Sequence, residues 1–129
     1  MAAVLATGEL ERLYSGLSAL VSTAAGGAPC TALAAFRSLE LLLAGDLLHR
    51  AQEPDATPSL SWAGRETFAT SLLELRETAL QLESLSVYAC SASVDTMSIT
   101  RGAVEERLRG VLSTPRFLEQ VEGTPLLFV

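Results

Sequence analysis

The sequence predicts an α/β domain built on a mostly parallel sheet with helices on both faces. Three observations lead there. Short apolar runs alternate with stretches whose leucines recur every three or four residues, the succession that builds parallel strands joined by crossover helices. Of 129 residues, 49% are hydrophobic, with mean hydropathy +0.34. That is enough to bury a core, at a length that suits one domain spanning residues 1–129. Finally, glycine, proline and small polar residues fall between the periodic stretches, where turns are needed.

The elements follow in order. Met1-Ala-Ala-Val-Leu-Ala6 is a short apolar strand ending at Thr7-Gly8. Leu10, Leu13, Leu17, Val21 and Ala24 then share one face of a helix over Glu9–Ala24, with Thr7 or Gly8 as its cap, Glu9 and Glu11 at its positive end and Gly26-Gly27 as its stop. Ala28–Phe36 reads as a second strand, although its alanines are poor strand formers. Ser38 or Leu39 begins a short apolar helix to Ala44, broken by Gly45. From Gln52 to Gly64 the composition shifts to Pro54, Asp55, Thr57, Pro58 and Ser61, with Trp62 near the end, which predicts an exposed loop. Arg65–Leu82 is the strongest helix, with Phe68, Leu72, Leu75, Ala79 and Leu82 on one stripe. Leu85–Cys90 is a third strand, and Ser91–Ile99 an irregular or short helical stretch. A helix capped by Thr100 extends to about Val111. A weaker helical segment from Pro115 to Val121 leads to a terminal strand within Thr124–Val129.

Composition excludes several classes. All nine basic residues are arginine, and the net charge is −6, a poor match for nucleic acid. Arginine without lysine, beside abundant alanine and leucine, suggests a GC-rich, bacterial genome. The richest apolar stretch, Leu39–Leu48, is too short to span a bilayer and carries Glu40 and Asp46. No basic residue precedes Arg12, so no secretory signal is expected and the predicted location is cytoplasmic. Two cysteines are too few for a disulfide scaffold, and no ligand spacing predicts a metal. Leu39, Leu41, Leu42, Leu43, Leu47 and Leu48 exceed one stripe of a short helix, which predicts that some face a subunit interface.

Parallel sheets place ligands and reactive groups at the carboxyl ends of their strands. Thr7-Gly8, Phe36-Arg37-Ser38 and Cys90-Ser91 fall at such ends. Cys90 ends a strand and precedes Ser91, Ser93, Asp95 and Thr96, whose amides would stabilise a thiolate if a helix begins there. The competing reading of Cys90 is a small buried hydrophobe. Cys30 begins the second strand, at the opposite end, and reads as structural. His49, the single histidine, reads as a surface residue. Thr7-Gly8 lacks the further glycines of a phosphate loop, so no nucleotide or flavin is expected.

The segment Val87-Tyr-Ala-Cys-Ser-Ala-Ser-Val-Asp-Thr-Met-Ser-Ile99 resembles the DsrE/DsrF-like sulfur-relay family. Val4–Gly8, Phe36–Leu43, Phe68–Leu82 and Leu126–Val129 are similar to other parts of that family in the same order. One position departs, since Ser98 stands where many relatives carry a glycine. The resemblance implies a three-layer, flavodoxin-like fold, a homotrimer or larger ring, and sulfur trafficking through Cys90. It implies a sulfurtransferase-like persulfide carrier whose pocket Thr7, Gly8, Arg37, Ser91 and Ser93 complete, with Arg37 as the cation. Sulfur donor and acceptor proteins or small thiols would be its partners, with neither cofactor nor metal required. The alternative is a non-catalytic oligomeric module of the same fold that binds a ligand or a protein at the same strand ends.

Overall fold

Five strands form a single sheet in the computed structural model, which describes residues 1–129. They are β1 (Ala2–Leu5), β2 (Cys30–Ala34), β3 (Leu85–Cys90), β4 (Gly110–Leu112) and β5 (Leu126–Phe128), ordered β4-β3-β2-β1-β5 with every neighbouring pair parallel. Seven α-helices connect them: α1 (Leu10–Ala25), α2 (Phe36–Leu43), α3 (Leu47–Gln52), α4 (Trp62–Gln81), α5 (Ser91–Thr96), α6 (Arg101–Arg107) and α7 (Thr114–Gln120). The architecture is α/β, in three flavodoxin-like layers. No helix is long and apolar enough to cross a membrane.

The two faces of the sheet are covered unequally. Ala3, Leu5, Ala32, Ala34, Val87 and Ala89 face the larger core, which α1, α2, α3, α4, α5 and α6 close. Their small side chains explain why weak strand formers still build a sheet here, because burial between layers outweighs intrinsic propensity. On the other face a cluster of six buried residues, Ala2, Leu33, Ala35, Cys90, Phe117 and Val121, packs under α7 alone. The thin cover matters for the site, because Cys90 belongs to this second face.

The helix starts carry ordinary polar caps. Ser61 accepts from the Gly64 amide, Thr100 from Ala103, and Ser113 from Arg116. At α1 the N-cap is Glu9, whose own amide donates to Thr7 Oγ1 at 3.0 Å, so Thr7 steadies the turn without capping the helix itself.

Several boundaries depart from sequence expectation. The second strand stops at Ala34 and Phe36 already begins α2, because its positive φ of 46° turns the chain sharply out of the sheet. The expected loop over Gln52–Gly64 is partly ordered, with a 3₁₀ turn at Pro54–Ala56 and a start of α4 at Trp62. Trp62 is 71% exposed and lines no core. Gly110–Leu112, read from sequence as the end of a helix, is the edge strand β4, three residues whose pairing with Tyr88–Cys90 leaves no local periodicity to read. The leucine run is also absorbed within the chain. Leu39, Leu41, Leu42 and Leu47 are buried in the larger core, and of the run only Leu48 is exposed. A break at Ala44–Asp46 splits the run into two helices, so Leu39, Leu41, Leu42 and Leu47 reach the core while Leu43 is half-buried and Leu48 exposed.

Candidate functional site

The chain leaving β3 enters α5 and α6, which bury Val94 and Val104 in the larger core, whereas the chain leaving β4 enters α7 on the opposite face. Such a parting of connections is where α/β sheets hold ligands; here Cys90 ends β3 and Thr114 opens α7 after β4, and neither residue lines a cavity.

Cys90 is the last residue of β3 and the N-cap of α5. Only 5% of it is exposed, so the sulfur does not stand at an open mouth of the sheet. The cause is α7, whose Phe117 and Val121 pack over it. Burial pushes the thiol up. The amide and hydroxyl of Ser93, the Ala92 amide and the Thr114 hydroxyl pull it down, and the net direction is below the usual thiol value. These are oriented neutral dipoles. No arginine contributes, so the anion is favoured here without a cation.

Ser93 is fully buried, and its Oγ accepts from the Phe36 amide at 2.9 Å. Ser38 is fully buried as well and donates to the Thr7 carbonyl at 2.7 Å. Two serines therefore stitch together the segments leaving β1, β2 and β3.

The residues singled out from sequence separate into two groups. Ser93 lies against Cys90, and Ser91 opens α5 beside it, although Ala92 and Ser93 supply the amides that act on the sulfur. Thr7, Gly8 and Arg37 gather at the ends of β1 and β2. A Cβ on Gly8 would sit 2.5 Å from Arg37 Nε, so the bare glycine is what lets the arginine lie across the turn. Gly8 and Arg37 line a separate cavity of about 320 Å³ that also takes in Glu40, Arg50 and Asp55. Arg50 is paired with Glu40 and Asp46, and Arg37 is not among the groups acting on Cys90. Thr114 is not legible in the sequence, because the strand before it carries a helical pattern; the Ser113-Thr114-Pro115 start of α7 is the signal that points to it.

The other candidates stay apart. Cys30 is buried at the amino end of the sheet, paired in register with Leu85, and both cysteines are free thiols. His49 is exposed on α3, with Nε2 3.3 Å from Glu53. No group of three or more histidine, cysteine or acidic side chains is placed to hold a metal. Ser98 adopts φ 54°, so the left-handed turn that a glycine would favour forms here with serine. No protein-family model matches the chain, and no curated protein matches it.

Proposed function

We propose that the protein is a small sulfur carrier that holds a sulfane sulfur on Cys90, in the manner of the DsrE/DsrF-like proteins its Val87–Ile99 segment resembles. The observation that carries this reading is the place of Cys90, the last residue of β3 and the N-cap of α5, with its thiol below the usual value despite burial. The two unpaired thiols suit a reducing, cytoplasmic setting.

In the proposed reaction the Cys90 thiolate attacks the outer sulfur of a donor persulfide. A new S–S bond forms, the donor's S–S bond breaks, and its electron pair leaves on the donor's inner sulfur as a thiolate. The acceptor thiolate then attacks the outer sulfur now carried on Cys90, and Cys90 leaves as thiolate. No external oxidant or reductant enters either step. Exchange of this kind depends on thiolate fraction and on access. With Cys90 covered by Phe117 and Val121, access sets the rate.

Incubation with a sulfane donor, followed by intact-protein mass spectrometry, tests this. The wild type and Cys30→Ser gain one sulfur atom, and Cys90→Ser gains none. No gain on the wild type with several donors rejects the carrier role. The second reading, a binding module without transfer chemistry, is favoured by the burial of Cys90 and by the cavity beside Arg37 at the neighbouring strand ends. It predicts a Cys90 that reacts with maleimide as slowly as Cys30.

A further inference from the structure

The two edges of the sheet are finished differently. Edges are usually blunted by charge, by proline or by a covering segment, because their unpaired N–H and C=O groups invite another strand. At β4, Arg109 immediately precedes the strand and all three strand residues are half-buried. β5 lacks such protection. No charged residue lies between Gly123 and Val129, and Leu126 and Phe128 are 48% and 70% exposed. Pro125 precedes the strand, but its carbonyl accepts from Ala2, so its ring nitrogen lies on the β1 side and leaves the outer edge uninterrupted.

The backbone of β5 divides by alternation. Val129 donates to Val4 and accepts from Ala6, on the same side as the Pro125 carbonyl. Leu127 falls with them, and the N–H and C=O groups of Leu126 and Phe128 point away from the sheet. The side chains divide as well. Leu126 and Phe128 are in register with Ala2 and Val4, on the face that α7 covers only in part. Leu127 is in register with Ala3 and packs on the larger core. On that side a groove of about 490 Å³ separates β5 from α1, lined by the small Ser15, Gly16 and Ala19.

We propose that β5 is the interface for a second copy of this chain, whose own β5 adds antiparallel to it and continues the sheet. The strand is self-complementary. With the twofold axis at Leu127, Leu126 stands opposite the partner subunit's Phe128 and the two exchange both N–H···O=C bonds. The axis repeats that exchange at Phe128. Leu126 and Phe128 of both copies then form one apolar patch on the α7 face, with no like charges opposed. On the other face, the partner subunit's Leu127 enters the groove beside α1. Such a contact is isologous and closes with two copies. A foreign strand could match the backbone, but the twofold supplies backbone, apolar pair and groove-filling leucine from residues already present. The pairing holds whether or not Cys90 carries sulfur.

The contact is small. Phe128 and Leu126 at their exposures present about 200 Å² per copy, well under the roughly 800 Å² per partner of a stable complex. Association is therefore weak, with a dissociation constant on the order of 100 µM.

Sedimentation of the wild type from about 1 µM to about 1 mM, a range that brackets this constant, follows the mass from 13.6 kDa toward twice that value. Hydrogen exchange at the two ends of the range identifies the face. The Leu126 and Phe128 amides become protected as the mass rises, while the Val129 amide, already bonded to Val4, exchanges alike at both ends. Leu126→Lys weakens association at least about tenfold, since a charge on an edge strand opposes pairing. Register is read by oxidative cross-linking in a Cys30→Ser, Cys90→Ser background. Leu127→Cys cross-links faster than the more exposed Leu126→Cys, because directly opposed residues of this kind lie about 4.5 Å apart at Cα, within disulfide reach. A monomer throughout, an assembly larger than two, or a dimer whose Leu126 and Phe128 amides exchange unchanged overturns the proposal. So does faster cross-linking of Leu126→Cys. Protection that appears only when a synthetic threonine–valine peptide is added to a monomeric protein assigns the edge to a foreign strand and overturns it too.

Discussion

Truncating Phe117 to alanine separates access to Cys90 from the overall stability of the fold. Phe117 is fully buried, and with Val121 it is what α7 contributes to the smaller cluster over Cys90. A buried phenylalanine removes about 150–250 Å² of apolar surface from water, about 4–6 kcal/mol at 25 cal/mol per Å². Truncation of such residues costs about 3–5 kcal/mol in practice. Because α7 is short and Val121 is its one other anchor in that cluster, most of this loss falls on the docking of α7. A loss of about 3 kcal/mol raises the undocked population about 100-fold, at 1.4 kcal/mol per factor of ten. The assay is maleimide labelling of native protein, with the modified cysteine identified by peptide mass. Cys90 labelling accelerates about 100-fold in Phe117→Ala, while Cys30, under the opposite face, keeps its wild-type rate. Parallel acceleration of both cysteines would mean global unfolding and would refute the assignment of α7 as the cover. An unchanged Cys90 rate would show that the path to the sulfur runs elsewhere.

Three further outcomes are expected. Ser98→Gly relieves a left-handed backbone at an exposed position and stabilises the protein by about 1 kcal/mol, visible as a rise of about 4 °C in Tm; a lower Tm would mean that Ser98 makes a contact worth more than its strain. Because the folded Cys90 thiol lies below its unfolded value, the unfolded chain binds more protons between the two, and stability rises with pH across that interval. Urea melts at stepped pH should show this rise in wild type and lose it in Cys90→Ala. Glu77 is desolvated, which raises its carboxyl, but Arg107 at 2.7 Å and Arg76 at 3.1 Å lower it further, so its contribution is present at neutral pH and is lost as pH falls through its depressed folded value. Glu77→Gln should flatten the acid limb of the stability curve only slightly, since the pair is partly open to solvent.

Where the sequence was informative, the reason was periodicity. The Leu10–Ala24 stripe and the apolar run closing on Cys90 match α1 and β3 closely, because each buries one regular face and the pattern survives in the letters. The misreadings share a different cause. The strand β4 is three residues long and held by its pairing with β3, a long-range bond with no local signature. Missing that strand hid Thr114 at its end. Phe36 continues the apolar run of β2 in the sequence, and no propensity predicts an aromatic residue at positive φ; the Ser93 hydroxyl that accepts from its amide lies far along the chain. Arg37 stands near a strand end in the sequence, yet side-chain direction is not written in a one-dimensional position, and its guanidinium lies over Gly8.

Ionisation and access at Cys90 are supplied from opposite sides of the sheet. The amides of Ala92 and Ser93 belong to α5, which leaves toward the larger core, and the Ser93 hydroxyl is held by the start of α2. The apolar cover comes from α7 on the other face, with Thr114 at its first turn the one group that touches both functions. A cysteine buried for packing alone would be expected to show desolvation without such donors, and one built for rapid exchange would be expected to stand in the open. Here a thiol held below its usual value sits beneath Phe117 and Val121 of α7, and under the proposed function access to it would depend on that cover. Thr114→Val discriminates within this scheme, since it removes a donor while keeping shape. It should raise the Cys90 titration midpoint and leave the labelling rate of the thiolate itself unchanged. A faster thiolate in that variant would show that the Thr114 hydroxyl also holds the helix down.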